Sequence, residues 1–122
     1  MRLRAAAPLL LATSTWAAGC PGSDADTDVD PICEDAPVTT WANFGEGFLL
    51  QACQPCHASS TAERNGAPET VVFDTEADAA LFAGSILAAA TGEDPSMPPE
   101  GGVSDDNRYF LEAWLTCWPP SR

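Results

Sequence analysis

Residues 53–57 read Cys53-Gln54-Pro55-Cys56-His57, the Cys-x-x-Cys-His spacing that covalent haem attachment in an exported protein requires. Two thiols three residues apart lie on nearly one face of a helical turn, where both reach the vinyl groups along one edge of a porphyrin. His57, the next residue, then stands below the ring and offers an imidazole nitrogen to iron. The spacing predicts one haem c per chain, bound through Cys53 and Cys56 with His57 as the proximal ligand. A zinc site would have to recruit Cys33 and Cys117, and these are isolated in the chain rather than paired as knuckles.

A sixth iron ligand follows by exhaustion. His57 is the only histidine, so two histidines from one chain are excluded, and beyond Met1 the only methionine is Met97. Thioether sulfur suits the iron of electron-transfer haems. Met97 lies in Asp94-Pro95-Ser96-Met97-Pro98-Pro99-Glu100, a loop whose prolines forbid helix and limit the entropy lost when a side chain is held in place. The competing uses are a methionine that only fills core and an iron left open at that position.

Around these residues the pattern is helical. Trp41, Phe44, Phe48, Leu49 and Ala52 recur at helical intervals and run into the motif, with Thr39 or Thr40 as cap. Gly45 and Gly47 weaken this helix by about 1 kcal/mol each against alanine, so something else must reward them. Gly45-Glu46-Gly47 has no strand or phosphate-loop context, which leaves a nucleotide reading without support. A polar loop from Ala58 to Pro68 turns at Asn65-Gly66, and Val71-Val72-Phe73 is a short extended piece. A second helix, capped by Asp74 or Thr75, runs to about Ala90 with Ala77, Leu81, Ile86 and Leu87 as its expected buried stripe and Gly92 at its end. Ser104 caps the last helix, which carries Tyr109, Phe110, Trp114 and Leu115 and stops before Pro119.

The N-terminal segment is of another kind. Arg2 and Arg4 precede a short apolar run, Ala5 to Ala18, and small residues lead to Cys20; residues 1–19 read as a signal peptide, and the run is too short to span a membrane. Ala17-Ala18-Gly19-Cys20 resembles a bacterial lipoprotein box, although Ala17 stands where a larger aliphatic residue is usual. The resemblance implies lipidation of Cys20 and an anchor that does not span the bilayer; ordinary cleavage near Ala18 or Gly19 is the alternative. Residues 20–38 read as an acidic flexible linker. Its Asp24-x-Asp26-x-Asp28 run lacks the glycine that a calcium loop needs, since Val29 stands there.

The chain of 122 residues has room for one domain, from about Thr39 to Trp118, with 119–122 as a tail. Its net charge is −13, with no lysine and five arginines against 18 acidic residues. Nucleic acid is excluded as a partner, because phosphate binding needs clustered cations. A redox protein with a basic docking face fits the charge better; solubility alone is the bland alternative.

Three features together resemble the bacterial class I c-type cytochromes, over about Trp41 to Leu115. They are Gly45 upstream of Cys53-x-x-Cys56-His57, Met97-Pro98-Pro99 before the last helix, and Leu111-Glu112-Ala113-Trp114-Leu115 within it. The resemblance implies an all-α fold, a small cytochrome c-like domain of three to four helices around one covalently bound haem. It also implies that the first and last helices cross closely, with Gly45 facing Trp114, where a missing side chain permits close backbone approach. The lysine-rich docking face common in that family is absent.

Five cysteines remain to be assigned. With Cys20 given to lipid and Cys53 and Cys56 to haem, an oxidising compartment would pair Cys33 with Cys117. Arg64 is the expected donor to a haem propionate, with Asn65, Trp41 and Tyr109 as further candidates. These readings lead to a non-catalytic electron carrier on the periplasmic or cell-envelope side of a membrane. The alternatives are a haem subunit of a larger oxidoreductase, a peroxidase-like or gas-binding haem protein, and a haem-free, disulfide-stapled structural lipoprotein. No second histidine or distal acid–base pair supports the catalytic reading.

Overall fold

Thr40 begins the first long helical stretch through a reciprocal cap. Its hydroxyl accepts from the Asn43 N–H at 3.2 Å, and the Asn43 carboxamide oxygen accepts from the Thr40 N–H at 2.7 Å. The structure, a computed structural model, describes residues 29–120. Among these residues all regular structure is helical: α1 (Ile32–Asp35), a π-helical turn (Trp41–Gly45), α2 (Glu46–Ala52), α3 (Gln54–His57), α4 (Glu76–Ala90) and α5 (Asp105–Cys117). The expected all-α architecture is present. The long units are the Trp41–His57 stretch, α4 and α5, while α1 and α3 are single turns. No helix among the described residues is long and apolar enough to cross a membrane. The signal peptide, the lipidation at Cys20 and the Asp24–Asp28 run lie outside the described residues.

The core is built where the first stretch and α5 cross and α4 packs alongside. Leu49, Leu111 and Trp114 are fully buried, joined by Phe48, Phe73, Ile86 and Leu115. The Trp114 indole lies 6.2 Å from the Trp41 ring and 6.3 Å from the Phe44 ring between centroids, so one aromatic of α5 is wrapped by the π-helical turn. Aromatic clusters of this kind bury large apolar areas and add specific edge contacts.

Thr75, not Asp74, caps α4, by a box in which its hydroxyl accepts from the Asp78 N–H and an Asp78 carboxylate oxygen accepts from the Thr75 N–H. The buried face of α4 meets expectation at Ile86 and Leu87 and departs from it at Ala77 and Leu81. Ala79, Ile86 and Ala90 are buried with Phe82 and Ala83 packed beside them, whereas Ala77 is exposed and Leu81 is 69% exposed. The helix is rich in apolar residues all round, so its pattern does not choose a face; contacts with α5 and Phe73 do.

The acidic segment also departs from a plain tether. Ile32–Asp35 forms one helical turn, with the Asp30 carboxylate accepting from the Ile32 N–H. Cys33 is bonded to Cys117, with Cα atoms 5.5 Å apart. The expected pairing is therefore present, and it seats α1 beside the end of α5. A segment with little apolar surface is held here by a covalent link and the local Asp30 turn rather than by burial.

Candidate functional site

The Cys53-to-His57 motif occupies the junction of α2 and α3. Cys53 ends α2 with its N–H donating to Leu49 O, and Pro55 lies in the first turn of α3, where its missing N–H costs nothing. His57 closes α3. Its ring nitrogen Nδ1 lies 3.0 Å from the Val71 carbonyl oxygen. A carbonyl only accepts, so Nδ1–H is the donor, and in the neutral ring this leaves the lone pair on Nε2, the form of imidazole that ligates metals.

Residues 71–73 are strapped to this motif. Besides the His57–Val71 bond, the Phe73 N–H donates to His57 O at 2.8 Å and the Gln54 carboxamide donates to Phe73 O at 2.8 Å. The Phe73 ring lies 4.9 Å from the imidazole between centroids. Each bond satisfies a backbone group of an otherwise irregular segment, and together they fix the tilt of His57.

Met97 is held from elsewhere. The last carbonyls of α4 have no helical partners. Ala89 O accepts from both the Ser96 and the Met97 N–H at 2.9 Å, and Ala90 O accepts from Arg108 Nη1 at 2.6 Å. The same Nη1 donates to Met97 O at 3.0 Å. The loop is thus pinned to the negative end of α4, with an α5 arginine bridging the two. Met97 itself is 40% exposed, so its thioether is not spent as core filler.

Cys53, Cys56, His57 and Met97 line a single cavity of about 320 Å³, otherwise walled chiefly by apolar groups such as Phe48, Phe73 and Ile86. It adjoins an open groove of about 880 Å³, the two sharing Phe48, Ala52, Cys56, Asn65, Pro98 and Pro99. The Cys53 and Cys56 thiols are free, and burial pushes the Cys53 thiol from 9.0 up to about 11. The donor set fits a covalently held haem: two free thiols, an imidazole and a thioether belong to residues that line one largely apolar cavity. Cys33 and Cys117 are bonded to each other and offer no thiolates to a zinc ion. Among the described residues no three His, Cys, Asp or Glu side chains gather as a metal cage.

Of the candidate propionate donors, Arg64 and Asn65 line the cavity, while Trp41 packs on Trp114 and Tyr109 lies beside Phe110, 39% exposed. The Arg64 side chain is largely committed. Nε donates to Ala67 O, Nη1 to Ala58 O, and Nη2 to Pro68 O and Val71 O. Four of its five N–H bonds organise the loop, which leaves one for any ligand. Asn65, at φ 48 in the expected turn, directs its carboxamide N–H to Cys56 Sγ at 3.3 Å. Val71 and Arg108 were not legible as site residues, because both act through backbone carbonyls that carry no sequence signature.

No protein-family model, curated protein or solved structure matches the chain.

Proposed function

We propose that this chain is an electron-transfer protein carrying one covalently attached haem c, with thioethers at Cys53 and Cys56 and axial ligation by His57 and Met97. The observation that supports it most is a cavity lined by all four of these residues. Haem supplies a one-electron ferric/ferrous couple. The chain's own residues do the rest. The two thiols fix the cofactor covalently. His57 offers Nε2 while Val71 O holds its Nδ1–H, and Met97 offers a sulfur from a loop anchored by Ala89 and Arg108. Two protein ligands leave no position for substrate, which favours transfer over catalysis, and a methionine ligand raises the potential.

The electron partner is a protein with a basic face. Among the described residues the only basic side chains besides His57 are Arg64 and Arg108, and both donate to backbone carbonyls. Carboxylates far outnumber these two cations at the surface, and they steer cationic partners and repel nucleic acid. Export by residues 1–19 and a lipid on Cys20 would hold the domain at the periplasmic or cell-envelope side of a membrane.

The test is an absorption spectrum and intact mass of the protein co-produced with a haem-attachment system. The expected result is one covalent haem, low-spin bands, a Met–iron charge-transfer band and loss of that band in Met97→Ala. High-spin bands in the wild type would favour a catalytic or gas-binding haem, and a chain with no haem added would leave a structural lipoprotein.

A further inference from the structure

The Val71 carbonyl serves two donors at once. His57 Nδ1 lies 3.0 Å from its oxygen, and Arg64 Nη2 lies 3.1 Å from the same oxygen. The guanidinium has little freedom to leave. Nε is held by Ala67 O at 3.3 Å, Nη1 by Ala58 O at 2.7 Å, and Nη2 also by Pro68 O at 2.8 Å. A planar fork held through four of its five N–H groups presents its charge in one direction. Val71 is fixed too, its N–H donating to Pro68 O at 3.1 Å. The contact is part-buried, where a charge-assisted bond is screened less than at an open surface.

We infer that Arg64 is a positioning residue for His57, which sets through the Val71 carbonyl how strongly the imidazole donates to iron; this inference rests on the haem reading above. A carbonyl oxygen has two lone pairs. A cationic donor on one draws electron density from the oxygen and makes it a weaker acceptor for the other. A weaker pull on the Nδ1–H leaves the ring less imidazolate-like, and its Nε2 becomes a poorer donor, since the group bonded to the far nitrogen of a ligating histidine tunes its basicity. A poorer donor disfavours the ferric state. The nearby positive charge acts in the same direction, because the ferric site carries one more charge than the ferrous. Arg64 therefore raises the reduction potential while it holds the ring's tilt.

The test uses haem-loaded wild type, Arg64→Gln and Arg64→Lys. In Arg64→Gln the ferrous-to-ferric ratio at fixed applied potential should fall about three- to tenfold, a midpoint shift of roughly 28–59 mV downward at about 59 mV per tenfold. Arg64→Lys, which keeps the charge without the fork, should fall between. The ring Nδ1–H resonance of His57 in the ferrous protein should move downfield in Arg64→Gln as its bond to Val71 strengthens. Unchanged potentials and an unchanged Nδ1–H resonance, with low-spin His/Met bands intact, would overturn the inference alone. If both variants fail to fold, the wild-type spectrum decides. A through-bond correlation between Arg64 Nη2–H and the Val71 carbonyl carbon supports the inference, and its absence overturns it. A wild-type chain without covalent haem overturns the functional reading and takes this inference with it.

Discussion

Gly45 and Trp114 approach so closely that a Cβ built on Gly45 lies 2.5 Å from Cη2 and Cζ2 of the indole. Gly45 is buried in the π-helical turn and Trp114 is fully buried in α5. The glycine that weakens its own helix is what lets the two helical stretches cross on an aromatic ring.

This relationship sets opposite signs for two neighbouring glycines. Gly45→Ala should destabilise the protein by up to about 2 kcal/mol, because a buried indole cannot yield to the new methyl, and an overpacking cost of about 1–3 kcal/mol outweighs a propensity gain of about 1 kcal/mol. Gly47→Ala, with nothing within 4 Å of the added atom, should stabilise by about 0.5–1 kcal/mol. Urea unfolding of the two variants beside wild type checks the pair, and equal signs would refute the crossing described here.

The Cys33–Cys117 bond closes a loop with a sequence separation of 84. Chain entropy alone assigns such a loop about 4.5 kcal/mol, and measured losses run to about 2–4 kcal/mol. Replacing both cysteines by serine should lower stability by that amount and free α1 from α5, seen as faster amide exchange at Ile32–Asp35. Protection unchanged on reduction would mean that α1 is held by something else.

On α4, Leu81→Ser should stay within about 0.5 kcal/mol of wild type, as an exposed position does, whereas Ile86→Ala should cost about 2–5 kcal/mol. Thermal unfolding distinguishes them, and a comparable loss at both positions would restore the stripe that the sequence pattern suggested.

Arg108 bridges Ala90 O and Met97 O. Arg108→Leu removes two hydrogen bonds from a charged donor, each worth about 1.5–3 kcal/mol, and unties the loop from α4. Amide exchange at Ser96 and Met97 should quicken, and in the haem-loaded protein the Met–iron band should weaken more than the overall helicity falls. A full-strength band in a folded variant would mean that Ala89 O alone suffices.

The buried Cys53 thiol gives a pH dependence to the haem-free chain. The protonated thiol is the neutral form, so burial favours it and raises the folded-state value from 9.0 to about 11. Stability from this group is fully present below about pH 9 and is lost as the pH rises toward 11, by at most about 3 kcal/mol. Urea titrations at pH 8, 10 and 11 should show the decline in wild type and a smaller one in Cys53→Ala. A slope that persists undiminished in the variant would assign it to other groups.

The parts of the site that depend on residue type were legible in the chain. A lone histidine and a proline-flanked methionine leave few ligands for the iron proposed above, two closely spaced thiols suit covalent attachment rather than ligation, and the remaining Cys33 and Cys117 form the pairing observed. Thr40, Thr75 and Ser104 begin helices because their hydroxyls accept from backbone N–H groups three residues on, a local rule that needs no tertiary contact. The face of α4 was legible only in part: Ile86 and Leu87 face the core as expected, but alanine and leucine occur all round the helix, and only the packing of α5 and Phe73 leaves Leu81 outside. The work of the two arginines was also hidden. A sequence shows a guanidinium and suggests an anion for it. Here Arg64 and Arg108 are taken up by carbonyls at Val71, Ala90 and Met97, groups that every residue carries and that only the folded chain brings within reach. The sequence by itself determined the helical class and which few side chains are available as donors; the tertiary structure decided which backbone oxygens support those side chains, because hydrogen bonds to the main chain depend on position and not on residue identity.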